Sequence, residues 1–357
     1  MYVVLVDVLG LDIGGANTKV AYIQTEKDKI KNVEVIVEYF PVWKNPDNLV
    51  LVLQKLVDVL GDRFDAVGVT MTAELSDVYS TKREGVEHIL GCVKKVFPNN
   101  FLYVLNTNAR LVSFEEACVV PLEVAAANWM ATGWLISQYF ENCVIIDVGS
   151  TSTSIIPVIN GKVTAQGKTD LDKLICGELV YTGSLRTNLA TIVQTVPIKG
   201  TVATVSSELF ALSGDVHLIL NNIQELQYNS ETADGKASTK KNALTRLARL
   251  ICADTEMLTD KELTTMAQYI YEKQIQQIAT GLNQVYQYTK KTATTKVPVI
   301  IAGLGKNFLA KKAAEQINAD LIMDLDELFH TKVTLAVPAV GVALMVAKQI
   351  EVEKHDS

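Results

Sequence analysis

Two segments of this chain repeat one pattern at a constant spacing, and no other feature limits the fold as much. Leu11-Asp12-Ile13-Gly14-Gly15-Ala16-Asn17-Thr18 and Ile146-Asp147-Val148-Gly149-Ser150-Thr151-Ser152-Thr153 carry Asp, Gly and Thr at matching places, 135 residues apart each time (147 − 12, 149 − 14, 153 − 18). Each pattern closes an apolar, β-branched run, Val3 to Gly14 in the first copy and Cys143 to Val148 in the second. Such runs are expected of strands buried on both faces. Further strands follow at about Lys19 to Gln24 and Val33 to Phe40, and again at Ser154 to Ile159 and Lys162 to Gln166. The second set turns at Asn160-Gly161, a strong hairpin signal. Two versions of one strand-and-hairpin unit predict an α/β chain of two related lobes. The length of 357 residues agrees, because a single core rarely grows that large.

The repeated loops have the parts of a phosphate cradle. Gly14, Gly15 and Gly149 let backbone N–H groups approach an anion with no Cβ in the way. Asn17 and Thr18 in the first loop, and Ser150, Thr151, Ser152 and Thr153 in the second, add side-chain donors. Asp12 and Asp147, at the strand ends, cannot touch phosphate directly and are suited to holding Mg²⁺ or its waters. A plain tight hairpin is the competing account of either loop alone, but its repetition favours paired phosphate loops. A third element, Ile301-Ala302-Gly303-Leu304-Gly305, breaks a buried strand (Val297 to Ile301) into a helix and adds Gly303 and Gly305 to the phosphate-binding set. Neither G-x-G-x-x-G nor G-x-x-x-x-G-K-[ST] occurs, which excludes the Rossmann and Walker devices.

Composition removes several other classes. The chain is acidic, with 33 Lys+Arg against 40 Asp+Glu, so it has no basic footprint for nucleic acid. Its five cysteines are odd in number and contain no C-x-x-C pair, which argues against a disulfide framework or zinc site and fits a reducing cytoplasm. The histidines, His88, His217, His330 and His355, show no metal-ligand spacing. No run approaches the ~20 apolar residues that span a bilayer, and the N-terminal run lacks the basic start of a signal peptide. Helices are expected at Leu49 to Leu60, stopped by Gly61, at Leu122 to Tyr139, at Asn242 to Cys252, at Asp260 to Thr289 and at Pro338 to Gln349. Tyr228 to Lys241 reads as a mobile loop, and Trp129 and Trp134 as core packing.

Taken together, the three glycine-rich elements resemble the actin, sugar kinase and Hsp70 superfamily. Its two-lobed, ribonuclease H-like fold sets a phosphate hairpin in each lobe. The resemblance implies a first lobe of residues 1–125 with about 335–357, and a second of 126–334. Thr70-Met71-Thr72-Ala73-Glu74-Leu75-Ser76-Asp77, Thr81-Lys82-Arg83-Glu84-Gly85-Val86 and Gly177-Glu178-Leu179-Val180-Tyr181-Thr182-Gly183-Ser184-Leu185-Arg186-Thr187 resemble, more closely, the hydantoinase/oxoprolinase-like proteins linked to tetrahydromethanopterin C1 transfer.

That likeness implies a cytoplasmic transferase of methanofuran biosynthesis and methanogenesis. It would join the phenol oxygen of γ-glutamyltyramine to the methylene carbon of 5-(aminomethyl)-3-furanmethanol diphosphate, releasing diphosphate, with Mg²⁺ expected and ATP not required. Glu74 and Glu178 become candidates for the base that activates the phenol. Lys82 and Arg186 become candidates to bind the diphosphate or the glutamate carboxylate. Asp77 is expected to cap the following segment, and Tyr181 either to line the acceptor pocket or to pack in the core. The expected partners are small molecules, with neither nucleic acid nor membrane, and a homo-oligomer stays open. An ATP-dependent hydrolase of the hydantoinase or oxoprolinase kind, or a small-molecule kinase, would use the same loops on ATP. A nucleotide-gated interaction protein is the weakest alternative, since no peptide-binding extension is evident.

Overall fold

The computed structural model describes residues 5–27, 29–61, 64–329 and 331–356; Val3 and His330 lie outside them. The first half supplies β1 (Val6–Ile13), β2 (Asn17–Glu26), β3 (Lys29–Tyr39), β4 (Ala66–Met71), β5 (Phe101–Leu105) and β6 (Leu111–Ser113). They form one sheet in the order β3-β2-β1-β4-β5-β6. The second half supplies β7 (Cys143–Val148), β8 (Thr153–Ile159), β9 (Lys162–Val163) and β10 (Leu179–Val180). A separate ribbon of β11 (Thr195–Ile198) and β12 (Thr201–Thr204) follows, then β13 (Val299–Ala302) and β14 (Ile322–Asp324). The second sheet runs β10-β8-β7-β13-β14, with β9 beside β8.

The duplication seen in the sequence is a duplication of topology and register. In each sheet the strand that ends in Asp-x-Gly lies in the interior, with its hairpin partner antiparallel on one side and a later strand parallel on the other. The registers also match. Asp12 faces Lys19 and Ile13 faces Thr18 in one hairpin; Asp147 faces Ser154 and Val148 faces Thr153 in the other. The apolar runs are buried throughout, as strands covered on both faces must be.

Two helices fill the space between the sheets. The helix Val337–Asp356 lies across β1 and β4, where two glycines admit it. A Cβ on Gly10 would collide with the Ala339 carbonyl, and one on Gly68 would press on Val342 and Val346 at 3.0–3.1 Å. The helix Asn128–Ser137 packs beside it, and their shared core takes Ala21 and Leu105 from one sheet and Ile145, Ile156 and Ile300 from the other.

The predicted helix Leu49 to Leu60 forms, and Gly61 ends it with φ 93 and its N–H on the Val57 carbonyl at 2.8 Å. Other expectations need correction. The helix predicted over Leu122 to Tyr139 is broken into Pro121–Val124 and Asn128–Ser137, because Ala126 adopts the left-handed conformation with φ 51. The Tyr228 to Lys241 stretch is irregular but pinned: Tyr228 is buried, and Asp234 holds Arg246 and Arg249 at 3.0 Å each. The segment after Gly305 starts with a wide π turn, Lys306–Ala310, before ordinary helix resumes at Lys311–Gln316.

Candidate active site

The two hairpins face a common cavity of about 510 Å³. Gly15 and Ala16 come to it from the first loop, and Thr151 and Ser152 from the second. Both loops are built alike. In the first, the Phe40 and Val42 amides bond the Ala16 and Gly15 carbonyls at 3.0 and 2.9 Å. In the second, the Ser184 amide takes the Gly149 carbonyl, and the Leu185 and Arg186 amides share that of Ser150, at 2.9–3.0 Å. With those carbonyls turned to protein donors, the N–H groups of Gly15, Ala16, Ser150, Thr151 and Ser152 have no acceptor among the described residues. Unpaired backbone donors gathered at one place are what an anion site requires.

The remaining loop residues divide between the cavity and the interior. The Gly14 amide closes the first turn on the Asn17 carbonyl at 3.0 Å, and Asn17 is half-buried beside it. The Thr18 side chain is buried with its hydroxyl unpaired, and Thr153 donates to the Thr182 carbonyl at 2.8 Å, so both hydroxyls sit behind the loops. Gly303 and Gly305 pack against the end of β7: a Cβ on Gly303 would collide with Asp147, and the Gly305 amide bonds the Val148 carbonyl at 3.0 Å. They brace Asp147 rather than line the cavity.

Asp12 is 2% exposed, with one carboxylate oxygen 3.4 Å from Lys19 and the other without a partner. Its strand neighbour Thr70 likewise has a buried, unpaired hydroxyl. Asp147 is partly exposed. Burial raises its carboxyl above the ordinary range, Lys19 draws it back down, and the Asp12 charge pushes it up again. Two carboxylates with an orphaned oxygen and a nearby hydroxyl fit a hard cation that keeps most of its waters. Among the described residues no three His, Cys, Asp or Glu side chains group as a metal cage. His88 is bonded to Tyr79 at 2.7 Å, and buried His217 to Gln274 at 3.0 Å.

The two candidate bases are both buried and differ in every other respect. Glu74 is 1% exposed, and no hydrogen bond of ordinary geometry reaches either oxygen. Its burial pushes the carboxyl up to about 7, against the pull of Lys82 at 3.9 Å and nearby backbone amides. Glu178 is 2% exposed and fully engaged, accepting from the amides of Gln166 at 2.7 Å and Gly167 at 2.9 Å. Neither side chain lines the cavity. Lys82 bonds Asp170 at 2.6 Å, joining the two halves of the chain across the cleft.

Arg186 does line the cavity. Its guanidinium lies 4.4 Å over the Trp43 ring and donates to the Thr151 hydroxyl at 3.3 Å. Tyr181 lines it too and is 56% exposed, which settles against a core role. Asp77 is a cavity residue; the cap of the following helix, Lys82–Val96, is Thr81, which accepts from the Glu84 amide at 3.2 Å. Trp129, read as core, is 3% exposed yet also lines the cavity, with its indole N–H unpaired.

Sequence reasoning missed Lys19, Trp43, Asp170 and Lys173. A signal existed for Lys19, whose counterpart in the second copy, 135 residues on, is Ser154 (154 − 19). The other three are brought to the cavity by distant segments.

With this geometry in hand, comparison with known proteins is specific. The profile of the family described as Hydantoinase/oxoprolinase matches residues 65–349. A protein of Methanocaldococcus jannaschii named (4-{4-[2-(gamma-L-glutamylamino)ethyl]phenoxymethyl}furan-2-yl)methanamine synthase is 38% identical over 345 residues, covering 96% of this chain and 98% of that one. A protein of the same name from Methanococcus vannielii is 34% identical over 226 residues, 62% of this chain and 99% of that one. Among solved structures, a nucleotide-free acetone carboxylase, from work on ATP-dependent acetone carboxylation, aligns with a TM-score of 0.56 at 9% identity, covering 95% of this chain and 70% of that one. That likeness, with two sheets built around matching hairpins, is one of fold and agrees with the two-lobed actin-like architecture.

Proposed function

The chain belongs to the hydantoinase/oxoprolinase family and is an enzyme, and from that premise we propose that it forms an aryl ether in methanofuran biosynthesis. It condenses 5-(aminomethyl)-3-furanmethanol diphosphate with γ-glutamyltyramine and releases diphosphate, as a transferase of the alkyl/aryl kind. One observation carries this reading: a single cavity has unpaired amides from both hairpins and aromatic walls formed by Trp43, Trp129 and Tyr181. An anionic leaving group and a pair of flat rings are the chemistry that such a cavity accommodates.

The residues divide the work as follows. The amides of Gly15, Ala16, Ser150, Thr151 and Ser152 bind diphosphate oxygens, and hold them better as negative charge grows there during C–O cleavage. Arg186, planar and fixed on Trp43, adds a cation beside the second loop, with the bidentate geometry that suits phosphate. Lys82 is held by Asp170 and acts on the cleft's closure rather than as a free cation. Asp12 and Asp147 would hold Mg²⁺, which when bound neutralises charge on the departing diphosphate. Lys19 keeps those two carboxylates from repelling one another.

The test is direct. Purified protein is mixed with both substrates and Mg²⁺, and the ether and free diphosphate are followed by mass spectrometry. Coupling without ATP is expected. ATP hydrolysis with no coupled product would overturn the reading in favour of an ATP-dependent hydrolase or a small-molecule kinase.

A further inference from the structure

Lys173 sits in the short helix Asp170–Cys176 and is 2% exposed, yet it lines the cavity. Its Nζ lies 4.1 Å over the Trp129 ring, and among the described residues no acceptor is within hydrogen-bond reach of it. The carboxylates that could neutralise it are occupied. Asp170 is bonded to Lys82, and Glu178 to the Gln166 and Gly167 amides. Those last two bonds also hold Gly167 in place, and Gly167 is pressed on Lys173 so closely that a Cβ there would lie 2.6–2.8 Å from the lysine's backbone and stem. Glu178 thus positions Lys173 through Gly167.

Burial disfavours the charged amine and lowers its pKa to about 8, against the opposing pull of Asp170, Glu178 and Cys176, the titratable groups facing it. An amine in that range is matched to a phenol, whose own pKa is near ~10, far better than a carboxylate is. The two glutamates expected to serve as base do not reach the cavity.

We propose that uncharged Lys173 is the catalytic base of the coupling reaction, accepting the proton of the acceptor's phenol while the acceptor ring is seated beside Trp129. This rests on the function proposed above. The Nζ lone pair takes the phenolic proton and becomes an ammonium. The phenolate oxygen bonds the furan methylene carbon as that carbon's bond to the diphosphate oxygen breaks, and the electron pair of the broken bond leaves with diphosphate.

Three measurements test this, two on the coupling reaction and one that needs no turnover. In wild-type protein, kcat/KM for coupling should rise with pH up to about 8 and then level off, as the amine loses its proton; a profile with no rising limb in that range overturns the assignment without any variant. Lys173→Met and Lys173→Arg should each lower turnover at least ~100-fold, and Lys173→Ala should recover part of it with added ethylamine. Coupling that persists in Lys173→Met with an unchanged pH profile also overturns it. A nitrated γ-glutamyltyramine, whose phenolate absorbs visible light, reads the same contact without turnover. Bound to wild-type protein its phenol should ionise at lower pH than when bound to Lys173→Met, and equal ionisation in the two counts against Lys173. A wild-type protein that gives this spectral difference but forms no ether would overturn the coupling reaction and leave the Lys173 contact standing.

Discussion

The two halves of this molecule carry one hairpin each, matched in register, and put it to different uses. In the first, Asp12 is paired with Lys19 across the hairpin, and Gly15 has open space: the nearest atom to a Cβ there would be the Ser76 hydroxyl at 3.5 Å. In the second, Ser154 replaces the lysine, the loop bristles with hydroxyls, and Gly183 lies so near the Thr151 and Ser152 backbone that a Cβ would come within 2.6–2.7 Å. The buried glutamates differ in the same sense, Glu74 with no hydrogen bond and only Lys82 at 3.9 Å, Glu178 with two backbone donors. A duplicated device has divided its labour: one copy supplies the shared cation and room, the other a rigid array of donors.

The most severe test of that division is removal of either aspartate. Asp12→Asn and Asp147→Asn should each reduce turnover by roughly 10²–10³-fold, as losing a group that stabilises transition-state charge does, while binding of the phenol acceptor is retained. Chelation of divalent metal in wild-type protein should act in the same direction. Unchanged turnover in both variants would remove the metal and leaving-group assignment.

Next comes a pair of substitutions with opposite signs. Glu74 titrates at about 7 in the folded protein against an ordinary 4.5, so its contribution favours the fold below about pH 4.5 and is lost as pH rises through 7. Glu74→Gln should therefore be more stable than wild type above pH 7, by on the order of 3 kcal/mol, with the gap closing as pH falls toward 4.5. Glu178→Gln, which leaves a buried amide facing an N–H donor, should instead cost about 1–3 kcal/mol. Denaturant titrations at several pH values decide this, and equal signs would erase the contrast between the two glutamates.

Smaller effects follow at the glycines. Gly183→Ala should destabilise by about 1–3 kcal/mol through forced displacement of the second loop, whereas Gly15→Ala should leave the melting curve nearly unchanged. The smallest shift is expected for Lys82→Met. Its bond to Asp170 is partly exposed, with side-chain accessibilities of 26% and 21%, so about 1 kcal/mol or less should be lost. A larger loss would mean that this link holds the two halves together more firmly than its exposure allows.

How much of this was legible beforehand depended on the range of the interaction. The strands and hairpins could be read because Asp, Gly and β-branched residues fix them locally, and the helix Leu49–Leu60 because Gly61 ends it. The Leu122 to Tyr139 break could not, since it rests on one alanine held left-handed by its surroundings. Lys173 was invisible for the same kind of reason. In Asp170-Leu171-Asp172-Lys173 a lysine reads as a solvated helix face, and it is buried only because Gly167 and Trp129 close over it. Trp43 and Arg186, 143 positions apart (186 − 43), gave no pattern along the chain for the stack they form.

The helix Val337–Asp356 has a consequence for how the protein is made. Its seat on β1 and β4 is shaped by Gly10 and Gly68, residues synthesised near the start, while the helix itself comes at the opposite end of the chain. At ribosomal speeds of roughly 5–20 residues per second, tens of seconds separate them. Through that interval β1 and β4 lack the helix that seats on Gly10 and Gly68. The first sheet is thus made well before the helix that completes its core.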